Sequence, residues 1–142
     1  MSNTQRWLSN LFDAMERTLD ADQRSEILRH CGRNCIPKSI LKKARACAEG
    51  ASDIPSFISR LKETIPFVHM SGDEVFVVYP ECFCPIMKGR SPLPGLCDCS
   101  AGWIGELFEH ALSKSVSVEI LETVMRGGSE CRFRVDLGNK SE

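Results

Sequence analysis

The sequence predicts an α+β fold, in which an N-terminal helical subdomain precedes an antiparallel sheet of two hairpins separated by a helix. Three observations predict it. Apolar residues recur every three or four positions from Trp7 to Ile65, which is the period of helix faces. After Pro66 they fall in short runs around Gly-containing turns, the mark of strands. One further stretch of helical period, Trp103 to Leu112, lies between the two strand regions. The change of period sets a helical subdomain at 1–66 and an α+β subdomain at 67–138, together one domain.

The elements follow in order. Trp7, Leu8, Leu11, Phe12, Met15 and Leu19 line one face of a first helix. Asp20 with Gln23 forms a capping-box pattern that starts a second helix, with Ile27, Leu28, Cys31 and Cys35 on its buried side. Pro37 suits the first turn of a third helix, which buries Ile40, Leu41, Ala44 and Cys47 and stops at Gly50. Its Lys38, Lys42, Lys43 and Arg45 read as a solvated face. After Ser52, Asp53 and Pro55, a fourth helix carries Phe57, Ile58, Leu61 and Ile65 and ends near Pro66. Phe67–Met70 and Val75–Tyr79 flank the turn residues Ser71, Gly72 and Asp73, predicting a hairpin. Pro80 to Leu96 holds four prolines and two glycines and reads as a loop, which at that length is usually functional. Ser100 is expected to cap a last helix carrying Trp103, Ile104, Leu107, Phe108, Ala111 and Leu112. Val116 to Val124 and Cys131 to Leu137 then alternate as two strands around Gly127-Gly128. Asn139–Glu142 reads as a tail.

Composition narrows the function classes. The chain has 142 residues, with 18 Lys and Arg against 19 Asp and Glu, a net charge of −1, which excludes a globally basic nucleic-acid binder. No apolar run approaches the roughly 20 residues of a membrane span, and Met1–Arg6 is polar where a secretory signal needs an apolar block. A cytoplasmic chain without nucleic-acid or membrane partners is expected. In a reducing compartment its eight cysteines point to ligands, reactive thiols or buried packing rather than to disulfides.

Four of those cysteines form two Cys-x-Cys pairs, Cys82 with Cys84 and Cys97 with Cys99, which flank the Pro/Gly-rich loop. A tetrahedral thiolate site closing that loop would gather soft ligands from both. Cys-x-x-Cys is the commoner metal spacing, so each pair can also contribute a single sulfur, with Cys131 on the last strand completing the set. Cys97 and Cys99 precede the helix expected at Ser100, and its exposed N–H groups favour thiolate over thiol. That location suits metal ligation, a nucleophilic thiol and ordinary packing alike. Glu122 falls in register with Val118, Ile120 and Val124, so in a regular strand it faces the core and needs a ligand or cation; a bulge that lets it reach water is the alternative. His30, His69 and His110 show no paired ligand spacing.

The run Cys97-Asp98-Cys99-Ser100-Ala101-Gly102-Trp103, the amphipathic helix after it, Val116-Ser117-Val118-Glu119 and Arg126-Gly127-Gly128-Ser129-Glu130-Cys131-Arg132-Phe133 resembles the 4-vinyl reductase domain family. Within that group the run is most similar to 2-aminothiazoline-4-carboxylate hydrolase-like proteins. The resemblance covers roughly residues 67–137. It implies two hairpins and helices around a small apolar pocket, often with a bound zinc, in domains that act as ligand sensors or accessory modules and are frequently dimers. Position by position, it matches the family's cysteine ahead of the helix to Cys97 or Cys99 and its cysteine after the glycine turn to Cys131. The family's glutamate and cysteine on the penultimate strand fall here on Ile120 and Thr123. Either Cys82, Cys84 and the second member of the Cys97/Cys99 pair replace those ligands, with Glu119 or Glu122 less favoured, or this branch has lost the metal.

The leading expectation is therefore a small-molecule-binding sensor or accessory domain. Trp103, Phe108, Val118 and Phe133 would wall its pocket beside Glu122, and a zinc site built from Cys82, Cys84, Cys97, Cys99 and Cys131 would staple it. A homodimer is expected on the same resemblance. The same apolar residues serve equally well as a plain core. The alternative is a hydrolase in which Cys97 or Cys99 attacks a small cyclic amidine or related substrate. A Cys-x-Cys redox module ranks last, because its disulfide closes a strained ring.

Overall fold

The computed structural model describes residues 2–80 and 97–138. Local signals start and stop its first helices. Helix α1 (Asn3–Thr18) opens on a capping box between Ser2 and Gln5, and α2 (Ala21–Arg33) on the expected one between Asp20 and Gln23. Each box satisfies backbone N–H groups that the first turn leaves without helical partners. Pro37 is the N-cap of α3 (Lys38–Glu49), which stops at Gly50. The Asp53 side chain caps α4 (Ile54–Leu61), with Pro55 in its first turn. Helix α4 ends at Leu61 rather than near Pro66, because the chain tightens there into three-residue turns, Glu63 N–H to Arg60 and Thr64 N–H to Leu61. Ile65 still reaches the core through that turn.

The two expected hairpins form one sheet. Strands β1 (Val68–Ser71) and β2 (Glu74–Tyr79) join across a two-residue turn in which Gly72 takes a φ of +64°, the left-handed region that glycine enters without strain. Strands β3 (Ser117–Glu122) and β4 (Cys131–Asp136) complete an antiparallel sheet of order β1-β2-β4-β3. Val68, Val75, Val77, Val118, Phe133 and Val135 point to one face and belong to the core, as period-2 alternation requires. On the other face Phe76 is covered by a stacked His69 and by the Arg132 guanidinium 4.6 Å above its ring.

Strand β3 is shorter than the sequence suggests. The pairing with β4 shifts between Ile120 and Glu122, and after Thr123 the chain makes a single 3₁₀ turn, Val124–Arg126, closed by Gly127 at φ +91°. Val124 is thereby exposed instead of continuing the alternation. Glu122 does not present a carboxylate to the core. It accepts a hydrogen bond from the Ser129 N–H at 3.1 Å and ties the tip of the hairpin together, the bulge alternative rather than the regular-strand one.

Helix α5 (Cys97–Leu112) holds the layers together. It packs against α2 and α3 on one side and against β3 on the other, and nine of its sixteen residues are buried, as expected of a helix covered on most sides. One core cluster joins Ile36, Ala44, Phe57 and Leu61 from the first half to Ile104, Phe108, Val118 and Phe133 from the second. The helix starts four residues earlier than the Ser100 cap predicts, so Cys97 and Cys99 lie within its first turn. On α2 the buried line is Leu28 and Gly32. Ile27, Cys31 and Cys35 are exposed, contrary to the sequence reading. The physical reason is the closeness of the crossing: a Cβ on Gly32 would lie 1.9 Å from the Cys99 carbonyl oxygen, and one on Gly102 would lie 2.0 Å from that of Arg29. Backbone meets backbone, so the contact face of α2 is marked by glycine and not by its apolar side chains.

Among the described residues no helix is long and apolar enough to cross a membrane. Gly32→Ala and Gly102→Ala are each expected to lower stability by about 3 kcal/mol, at the upper end of what overpacking costs, because the obstructing atoms are backbone. Gly105→Ala, whose Cβ meets the side-chain end of Arg33 at 3.2 Å and Val118 at an ordinary contact distance of 3.7 Å, is expected to change stability by less than about 1 kcal/mol. Urea unfolding of the three variants checks the ordering.

Candidate functional site

Three consecutive residues in the first turn of α5 make different contacts. Cys97 is buried against the hairpin of β3 and β4, and its thiol donates to Thr123 Oγ1 at 3.2 Å. Thr123 is fully buried and also accepts from the Arg126 N–H at 3.2 Å, capping the 3₁₀ turn. The next residue, Val124, donates its N–H to Cys131 Sγ at 3.5 Å. Cys97 is thus anchored on the Thr123 side chain and Cys131 on the backbone of the next residue, Val124. Cys131 pairs in register with Tyr79 on β2, whose ring stands edge-on to Phe133 at 6.2 Å. Burial, and after it the proximity of Cys131, push the Tyr79 phenol up to about 12, since both penalise the phenolate.

Cys99 is half-buried, and its carbonyl abuts Gly32 of α2. Cys82 and Cys84 lie outside the described residues, as do the expected loop up to Leu96 and the tail from Asn139. Among the described residues no group of three or more His, Cys, Asp or Glu side chains is placed to hold a metal ion.

Asp98, which the sequence reading passed over, faces a different way. It is only 9% exposed, and Ser25 Oγ at 2.8 Å and Arg29 Nε at 3.0 Å both donate to its Oδ1. Arg126 stands 3.7 Å from Oδ2. A carboxylate this buried requires such partners, because desolvation otherwise penalises its charge. Arg29 also donates to the Val118 carbonyl at 3.1 Å, and Glu109 accepts from the Val116 N–H at 3.1 Å. Side chains from α2 and α5 therefore satisfy backbone groups at the edge strand, which would otherwise invite pairing.

Asp98 lies in the wall of a groove of about 1200 Å³ between the start of α2 and the β3–β4 end of the sheet. Six carboxylates line it (Asp22, Asp73, Glu74, Asp98, Glu119 and Asp136) against three guanidinium groups, Arg29, Arg126 and Arg134. Arg134 is held between Glu119 and Glu74. The groove is polar and predominantly acidic, suited to hydrogen-bonding a small polar molecule.

The residues expected to wall a pocket divide between the core and the groove. Phe108 and Phe133 are buried in the core, with Phe108 edge-on to Phe57 at 6.0 Å. Trp103 is half-buried and packs against the same cluster. Of those four residues, Val118 lines the groove. Glu122 secures the hairpin tip, as described above.

Over residues 1–141 the sequence matches the model of DUF6144, described as a family of unknown function. The chain belongs to that family. No curated protein matches it. Its fold is similar to that of the phenol-responsive sensory domain of the transcription activator PoxR, solved with phenol. The TM-score is 0.53 at 13% identity, over 99% of this chain and 77% of that one. For this member of DUF6144 the similarity establishes the fold.

Tyr79 is the only tyrosine in the chain, so tyrosinate absorbance reads it directly, and it is expected to titrate near 12 rather than 10. The folded value lies above the unfolded one, so the neutral phenol favours folding. That stability is fully present below about pH 10 and is lost as pH rises toward 12. Tyr79→Phe should remove this part of the pH dependence. Cys131→Ala should lower the titration point only part-way, because burial is the larger cause.

Proposed function

We propose that this chain is a small-molecule-binding, sensor-like domain and that the groove at Asp98 is its ligand site. The observation that carries the reading is the buried Asp98 carboxylate, held by Ser25 and Arg29 at the wall of a groove of about 1200 Å³. Polar groups fixed in a concave surface are how small-molecule sites set orientation. The similarity of the whole chain to the fold of a sensory domain supports it. The bound molecule is polar, because the lining groups are mostly charged, and it competes for or extends the hydrogen bonds around Asp98.

A thermal-shift panel of small amines, polyols, carboxylates and phenol, followed by calorimetry, tests this. One class is expected to saturate and raise the melting temperature, since a ligand at 100 times its Kd adds about 2.7 kcal/mol. Asp98→Asn and Arg126→Ala are each expected to weaken it about tenfold or more, roughly 1.4 kcal/mol. Absence of any saturable ligand, or binding indifferent to both substitutions, overturns the assignment.

A second reading rests on the meeting of Cys97 and Cys131 around Thr123. These supply two sulfur donors where a structural zinc takes four ligands, and Ile120 and Thr123 stand where the resemblance to 4-vinyl reductase domains sets a glutamate and a cysteine. The described residues therefore do not amount to a zinc site. Zinc is proposed only as a centre completed by Cys82 and Cys84, and metal below about 0.2 per chain in protein purified without added zinc rejects it. For the cysteine-hydrolase alternative, the burial of Cys97 leaves the half-buried Cys99 as the accessible nucleophile. It should then react with iodoacetamide faster than cysteine in solution, and failure to do so removes that activity.

A further inference from the structure

The groove at Asp98 carries its charge unevenly. Six carboxylates line it against three guanidinium groups, an excess of three negative charges on a chain whose net charge is −1. All three guanidinium groups are already engaged. Arg29 and Arg126 both face Asp98, at 3.0 and 3.7 Å, and Arg134 lies between Glu74 and Glu119. The carboxylates are not matched in the same way. Asp22 in the first turn of α2 and Asp73 in the β1–β2 turn are exposed, and among the described residues neither has a hydrogen bond or an ion pair. Asp136 accepts the Gly138 N–H at 2.9 Å and has no cationic partner among the described residues. Val75 pairs with Val135, so the next position outward sets Glu74 opposite Asp136, and like charges facing across two strands are unfavourable.

We propose that this distribution sets the class of the ligand: an organic polycation, a di- or polyamine whose ammonium groups lie on the unmatched carboxylates, Asp22 on the α2 wall and Asp73 and Asp136 at the sheet end. The proposal rests on the groove being the ligand site and adds its charge selectivity. An anionic ligand finds every guanidinium engaged and has to displace a carboxylate from it. A neutral ligand leaves the excess charge and the Glu74–Asp136 opposition in place.

A compact metal ion suits the groove no better, since among the described residues no three His, Cys, Asp or Glu side chains are placed to hold one. Carboxylates spread along two walls match charges spread along a chain. Each ammonium group supplies several donors, and its hydrogen bonds to carboxylate are of the stronger, charge-assisted kind.

Titration calorimetry of the full chain at low ionic strength compares putrescine with butanediol and succinate, which keep its chain length but carry neutral or anionic ends, and with magnesium ion. Putrescine alone is expected to saturate, and its affinity to fall about tenfold between about 0.01 and about 0.15 M salt as the Debye length shortens. The double variant Asp22→Asn with Asp73→Asn is expected to keep its melting temperature without ligand, because both side chains are exposed, and to bind putrescine about tenfold more weakly. Absence of saturable putrescine binding, equally tight binding of magnesium, or putrescine binding indifferent to the double variant overturns the polycation class. Butanediol or succinate binding that is lost in Asp98→Asn overturns the class and leaves the site standing. Binding of any probe that ignores Asp98→Asn overturns the site itself.

Discussion

The crossing of α2 and α5 is the contact on which the rest of the molecule depends. At Gly32 and Gly102 each helix lies against the backbone of the other, closer than any side chain permits. That proximity brings Arg29 and Ser25 within hydrogen-bond distance of Asp98, and it lets Arg33 reach Glu106 and Glu109 at 3.4 and 2.8 Å. The polar network is a consequence of the glycines. With alanine at either position the helices separate, and the carboxylate loses the partners that make its burial tolerable.

Local chemistry made much of the fold legible. The Asp20/Gln23 box, the Asp53–Pro55 start and the turns at Gly72 and Gly127 lie within a few residues of the structure they direct, and one chain suffices to read them. The divided periodicity showed the α+β order for the same reason. The faces of α2 were misread because apolar periodicity points to side-chain packing, whereas this helix docks through the absence of a side chain. Leu28, Gly32 and the glycines Gly102 and Gly105 inside an otherwise regular helix were the signal for it.

The site was less legible. Asp98 stands between two cysteines and reads as a linking polar residue; its significance depends on Arg29, 69 positions earlier, and on Arg126 in the far hairpin. No pattern within the run Cys97-Asp98-Cys99 announces either partner. The apolar residues Phe108 and Phe133 illustrate the converse: their spacing is the same whether they wall a cavity or fill a core, and here they fill one. Glu122 turned on a single slipped residue in the β3–β4 register, which alternation cannot foresee.

Successive residues on a helix are set about 100° apart, and in the first turn of α5 this places three environments on one short peptide. Cys97 grips the hairpin, Asp98 the groove, and the carbonyl of Cys99 the neighbouring helix. The stretch acts as an axle common to all three, so a rotation of α5 that repositions one residue necessarily repositions the other two. The Cys97 thiol at the hairpin and the Asp98 carboxylate at the groove are in this way carried on one turn and move together.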